Sequence, residues 1–169
     1  VGLIGVGRHG SRYLSHLLTD KTGGSLLAIS RRNSHEGQQM AEQHHLRFYQ
    51  YWKDLLTDPL IKAVTGVTPP SFNFPIAIEA IQSAKAVLLE KPMTLHPLLA
   101  EQIVASAGRN GIQVMTAHTL RYEPAIQKLQ ELGSSLGEWQ RLSCTMKCET
   151  HTIQSGNREG QDNYSVMME

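Results

Sequence analysis

The sequence predicts a doubly wound parallel α/β sheet followed by an incomplete second α/β domain with an open, mostly antiparallel sheet. Three observations carry the prediction. Six short apolar strand signals alternate with helical segments, the first strand runs into a glycine turn, and the pattern changes character from Gln140 onward. The opening run Val1-Gly2-Leu3-Ile4 leads into Gly5-Val6-Gly7-Arg8-His9-Gly10, a G-x-G-x-x-G turn set between a strand and a helix. Such a turn needs backbone without a Cβ at three points. Gly5 allows the tight turn, Gly7 lets the main chain approach a pyrophosphate, and Gly10 lets the helix pack closely on the strand. The phosphates then meet free N–H groups and the positive end of the helix. Residues Ser11 to Asp20 support the helix, with Tyr13, Leu14, Leu17 and Leu18 on one face and Arg12, Ser15, His16 and Thr19 off it.

Composition bounds the partners. With 169 residues, 40% apolar and 18% charged, and a formal charge of +1, the chain reads as an ordinary globular protein with no bulk electrostatic case for nucleic acid. No apolar stretch is long enough to span a membrane and no signal-peptide pattern opens the chain, so the expected location is cytoplasmic. The start at Val1, already inside a strand, suggests a trimmed N-terminus. Cys144 and Cys148 are too few for a disulfide framework, and on an extended strand they stand roughly 13 Å apart, too far to bridge each other.

After the first helix, Gly23-Gly24 marks a turn, and Leu26 to Ser30 reads as a second buried strand ending in Arg31-Arg32-Asn33. The end of that strand bears on cofactor choice. A site for NAD usually places Asp or Glu here to accept from the ribose 2′-hydroxyl. Ser30, Arg31 and Arg32 stand here instead. A guanidinium can hold a 2′-phosphate bidentately and a serine hydroxyl adds a donor, so NADP is expected ahead of NAD. Glu36 to His45 reads as a surface helix and Leu46 to Tyr49 as a short strand. Trp52, Leu55 and Leu56 suit a brief helix ending at Asp58-Pro59. Ala63 to Val67 is the fourth strand, and Thr68-Pro69-Pro70 ends it, because consecutive prolines cannot continue a central ladder. That exit lies at the carboxyl end of a parallel strand, where ligands of doubly wound sheets bind.

Phe74 to Ser83 is expected as the following helix, with Pro75 in its first turn and Ile76, Ala77, Ala80 and Ile81 buried. Ala86 to Leu89 is the fifth strand, ending at Glu90-Lys91-Pro92. A helix from about Leu95 to Asn110 buries Leu99, Ile103 and Ala107 and stops at Gly111. The sixth strand, Ile112 to Ala117, leads through His118-Thr119-Leu120-Arg121-Tyr122-Glu123-Pro124 into a helix through Leu132. From Gln140 to Glu149 the residues alternate, with Leu142, Cys144, Met146 and Cys148 on one face, as in a half-exposed antiparallel strand. His151 to Asn163 is polar and turn-rich.

The glycine turn, Thr68-Pro69-Pro70, Glu90-Lys91-Pro92 and the His118 to Pro124 stretch, in this order, resemble the Gfo/Idh/MocA family of NAD(P)-dependent oxidoreductases over Val1 to about Glu149. The resemblance implies a Rossmann domain over residues 1–118 and the beginning of a substrate and oligomerisation domain over 119–169, hence a homo-oligomer. It implies that Lys91 lies beside the nicotinamide and helps bind substrate or transfer its proton. Arg121 would approach the cofactor from the interdomain region, and the Thr68 to Asn73 turn would lie near the nicotinamide ribose. Gly5, Gly7, Arg8, His9 and Gly10, with Ser30, Arg31 and Arg32 and with Glu90, Lys91 and Pro92, complete the expected cofactor set. Asn73 stands where many relatives carry a histidine, and it can still donate and accept. The family's glycine-rich segment with an Asp and a catalytic His has no match in Thr150 to Glu169, and His151 has neither its spacing nor its neighbours.

Hydride transfer needs a group that handles the hydroxyl proton. A lysine is ordinarily protonated near neutrality, so Lys91 suits reduction as a polarising acid, whereas oxidation requires it to give up that proton. An X-Pro bond is ordinarily trans, which is the default for Lys91-Pro92; a cis bond would aim Lys91 into the cleft. The scattered histidines have no metal-ligand spacing, so no metal is expected. Tyr122 is read as packing, or alternatively as an acid or substrate contact. The expected activity is hydride transfer to or from a small sugar, polyol or related hydroxy or keto compound. The rivals are a non-catalytic dinucleotide-binding protein and an NAD-assisted glycoside hydrolase.

Overall fold

A computed structural model describes residues 1–19, 24–133, 135, 137, 138, 143–146 and 164–167. Residues Val1–His118 and Thr119–Glu169 form two compact units. In the first, strands β1 (Gly2–Ile4), β2 (Ala28–Ser30), β3 (Arg47–Tyr49), β4 (Ala63–Gly66), β5 (Ala86–Leu89) and β6 (Val114–Thr116) form a parallel sheet in the order β3-β2-β1-β4-β5-β6. That is the doubly wound order whose crevice opens where the winding reverses, between β1 and β4.

Successive side chains of each strand point to opposite faces, and they feed two separate cores. Leu3 and Ile29 pack with Val6, Leu14, Leu26 and Ala41, beneath helices α1 (Gly10–Leu18) and α2 (Ser34–Gln43). Their neighbours Ile4 and Ala28 pack with Val64, Val87 and Leu89 beneath α3 (Trp52–Thr57), α4 (Pro70–Gln82) and α5 (Pro97–Asn110). On the α1 face, a groove of about 430 Å³ runs over β4 and β5, lined among others by Tyr13, Leu17, Ala63, Thr65, Ala86 and Leu88.

Several boundaries differ from those expected. Leu18, expected on the buried face of α1, is 38% exposed, because the helix ends there and turns away at Thr19. Helix α4 begins at Pro70, not Phe74: Pro69 is extended and Pro70 takes the first helical position, where a missing N–H costs nothing. Pro75 therefore falls inside the helix rather than in its first turn, and the exposed Ser71 loses its helical partner. Helix α5 begins at Pro97 by the same logic, leaving Leu95 exposed and Leu99 only half-buried, while Ile103 and Ala107 are buried as expected.

The second unit contains a short 3-10 turn (Thr119–Tyr122), helix α6 (Pro124–Gly133) and a pair of antiparallel strands, β7 (Ser143–Met146) and β8 (Tyr164–Met167). Strand β8 has no counterpart in the expected elements. The flanks of the expected Gln140 to Glu149 strand, including Leu142 and Cys148, lie outside the described residues, as do Asp20 and His151.

Candidate cofactor site

The three glycines of the opening turn do different things. Gly5 has φ +91°, and a Cβ there would collide with the Val67 carbonyl oxygen, so a side chain is excluded by conformation and by space. Its N–H donates to the Ser30 carbonyl at 2.9 Å, which fixes the turn to the end of β2. A Cβ on Gly10 would collide with the Gly5 carbonyl oxygen, so α1 can lie against the turn only as glycine. Gly7 is the contrary case: a Cβ there meets nothing within 4 Å. The turn is closed on the protein side at Gly5 and Gly10 and open on the solvent side at Gly7. Helix α1 starts beside it with no side-chain cap and no acidic residue in its first turn, leaving the positive helix end to an anion. This cradle fits a dinucleotide pyrophosphate.

At the end of β5, the buried Glu90 draws the neighbouring elements together. Its Oε1 accepts from Tyr13 Oη at 2.6 Å and pairs with His9 Nε2 at 2.7 Å, and its Oε2 accepts the Lys91 N–H at 3.0 Å. Burial alone would raise the Glu90 carboxyl, but the donors Tyr13, His9 and Lys91 N–H outweigh it and hold the group below its ordinary value. Tyr13 is pushed up, by burial first and then by its bond to the Glu90 carboxylate. Glu90 is thus committed inside the chain rather than offered to a cofactor as expected. Asn73 is fully buried, and its amide donates to the carbonyls of Glu90 at 3.0 Å and Pro92 at 2.8 Å while Thr68 Oγ1 donates to its Oδ1 at 3.3 Å. It braces the Glu90-Lys91-Pro92 turn from below instead of facing a ligand. The Lys91-Pro92 bond is cis, not the default trans, and Lys91 is exposed. Nearby, the hydroxyl of Thr116 at the end of β6 is buried without a hydrogen-bond partner.

At the end of β2 the expected donors are redistributed. The Ser30 side chain is buried within the sheet, so its hydroxyl is not presented outward. Arg31 Nη1 donates to the Val6 carbonyl at 2.7 Å and Nη2 pairs with Glu36, which also accepts from Asn33 Nδ2 at 2.7 Å. Arg31 therefore ties α2 to the glycine turn, its charge already matched by a carboxylate. Arg32 is exposed, with its guanidinium 5.9 Å from the centroid of the Phe72 ring. Tyr13, Glu36 and Phe72 are participants that the sequence reading did not assign. Tyr13 shares a face of α1 with Leu14, Leu17 and Leu18 and stands four residues after His9, and that spacing is the one available signal. In the second unit, Arg121 and Tyr122 are both exposed on the 3-10 turn. Among the described residues, no three His, Cys, Asp or Glu side chains are grouped to hold a metal, and no helix is long and apolar enough to cross a membrane.

A parallel sheet in this order, with an open glycine cradle at the start of α1, defines a dinucleotide-binding domain. Residues 1–118 match the Gfo/Idh/MocA family, described as an oxidoreductase family with an NAD-binding Rossmann fold, and the chain belongs to that family. It is 32% identical over 135 residues to "Oxidoreductase P35" of Formosa agariphila, covering 79% of this chain and 42% of the relative. It is 30% identical over 132 residues to the UDP-N-acetylglucosamine 3-dehydrogenase of Acidithiobacillus ferrooxidans, covering 78% and 41%. Among solved structures it resembles scyllo-inositol dehydrogenase of Lactobacillus casei with NAD(H) and scyllo-inositol, at TM-score 0.73 and 19% identity, over 79% of this chain and 40% of that one. The chain spans less than half the length of these relatives.

Proposed function

We propose that this chain is the cofactor-binding part, with the beginning of the substrate domain, of an NAD(P)-dependent oxidoreductase that moves a hydride to or from a sugar, polyol or related hydroxy or keto compound. The observation that carries the reading is the open Cβ position at Gly7 together with an exposed Lys91, at two strand ends joined through Glu90. Bound nicotinamide would supply the hydride donor or acceptor. The glycine turn and the α1 terminus hold the diphosphate, with Arg8 and His9 in the turn and Thr68, Pro69 and Pro70 at the end of β4 flanking the same crevice. Lys91 gives a proton to the substrate oxygen in reduction and takes one in oxidation. Asn73 and Glu90 act through the Lys91 turn, as positioning residues.

We infer NADP in preference to NAD, because Ser30 to Asn33 offers no carboxylate to repel a 2′-phosphate. Arg31 is already paired with Glu36, so Arg32 is the guanidinium left to meet that phosphate, turning from Phe72. The 119–169 unit, with Arg121, begins the substrate wall and the contact between copies in a cytoplasmic homo-oligomer.

Fluorescence titration with NADPH and NADH, followed by absorbance at the reduced-nicotinamide band with a panel of polyols, aldoses and keto-sugars, tests the reading. NADPH is expected to bind more tightly than NADH. Lys91→Ala is expected to keep cofactor affinity and to lose about a hundredfold or more in turnover. Binding of neither cofactor would overturn the reading, and tighter binding of NADH would overturn the preference.

A further inference from the structure

Resting on that reading, a positioning role can be assigned to a residue the chemistry does not touch. The Glu90-Lys91-Pro92 turn is held from two sides. From α4, Asn73 grips the carbonyls of Glu90 and Pro92. From α1, His9 and Tyr13 grip the Glu90 carboxylate, one oxygen taking both side chains while the other takes the Lys91 N–H. The two residues, His9 at the N-cap and Tyr13 in the first turns of α1, are four apart, and their rings meet edge to face at 5.7 Å. The α4 attachment reaches the glycine turn only indirectly, through Thr68, which donates to Asn73 and lies against Gly5. The α1 attachment is part of that turn: His9 occupies the N-cap position of α1, between Gly7 and Gly10, with its side chain half exposed.

We propose that Glu90, with Tyr13 and His9, is a strap that couples occupancy of the phosphate turn to the setting of Lys91. A diphosphate seated on the turn orders α1 at His9, His9 and Tyr13 then hold the Glu90 carboxylate in one arrangement, and its second oxygen holds the Lys91 backbone. The physical element is a single buried carboxylate with its acceptor sites divided between the two turns, so loosening one end loosens the other. Tyr13 lies outside the residues assigned to contact the cofactor, which lets coupling be separated from binding.

The test is amide hydrogen exchange at Lys91 in the full chain, with and without NADPH, alongside fluorescence titration and a thermal melt. NADPH is expected to slow Lys91 exchange in the unmodified protein. In Tyr13→Phe, which keeps the ring and loses the bond to Glu90, NADPH affinity is expected to stay within about threefold while the slowing falls by about fivefold. Glu90→Gln, which keeps the shape and removes the charge, is expected to reduce the slowing at least as much. Slowing equal to that of the unmodified protein in both variants, with both folded and binding NADPH, overturns the coupling and leaves the oxidoreductase reading standing. Binding of neither NADPH nor NADH to the unmodified chain overturns both.

Discussion

Single residues in this site differ by what surrounds them rather than by type. Gly5, Gly7 and Gly10 are one residue type in three roles that the turn pattern already separates: a Cβ is blocked by backbone at Gly5 and Gly10 and meets open space at Gly7. Gly7→Ala is therefore expected to melt within a few degrees of the unmodified protein while losing NADPH affinity, because the methyl group occupies the space meant for phosphate. Gly5→Ala is expected to lose both, since φ +91° is strained for any side chain. Thermal melts paired with fluorescence titration separate the two outcomes. The carboxylate of Glu90 supplies a second residue-level prediction. Tyr13 is raised by burial and by Glu90, so its neutral form stabilises the fold fully below the ordinary tyrosine value of 10.0, and that stability is lost as pH rises through the raised value. Glu90 is lowered, so its contribution is complete above the ordinary 4.5 and is lost as pH falls through the lowered value. In a spectrophotometric titration Tyr13 and Tyr49 are both expected to ionise late, Tyr49 through burial and Asp58, and Glu90→Gln is expected to move only Tyr13 back toward the ordinary value.

Between elements, side chains fasten the ends of the sheet. At the amino edge, buried Lys85 reaches back from the α4–β5 turn and donates to the carbonyls of Asp58 at 2.8 Å and Ile61 at 2.6 Å, in the α3–β4 connection. Burial pushes its ammonium down, with nearby Asp58 opposing. Lys85→Met leaves two carbonyls without their donor and is expected to cost about 2 kcal/mol in urea unfolding, in the range for hydrogen bonds from a charged group. Cofactor affinity is expected to change little, because this staple lies at the opposite end of the strands from Glu90 and the glycine turn. Helix starts at Pro70 and Pro97 belong to the same scale: in each, proline occupies a first-turn position and moves the boundary away from the expected one.

Across the first unit, the two cores on opposite faces of one sheet give the crevice a rigid floor. A ligand that binds this folded unit and not the unfolded chain stabilises it by mass action. NADPH at about a hundred times its dissociation constant is expected to add about 2.7 kcal/mol and to raise the melting midpoint by several degrees, which differential scanning fluorimetry reads directly.

The sequence by itself determined the alternation of strands and helices, the doubly wound sheet and the place of the glycine turn. Each of these follows from local periodicity and from the lack of a Cβ, which neighbours along the chain are enough to specify. It also marked Lys91, through its position at a strand end. Only the tertiary structure decided how the polar groups are paired: Glu90 with His9 and Tyr13, Arg31 with Glu36, Asn73 beneath the Lys91 turn, and Ser30 inside the sheet. Glu90 lies 81 residues from His9, and Arg31 lies 25 from Val6. No periodicity encodes such pairs, because they arise when the parallel register brings several strand ends to one edge and buried charges must find donors there.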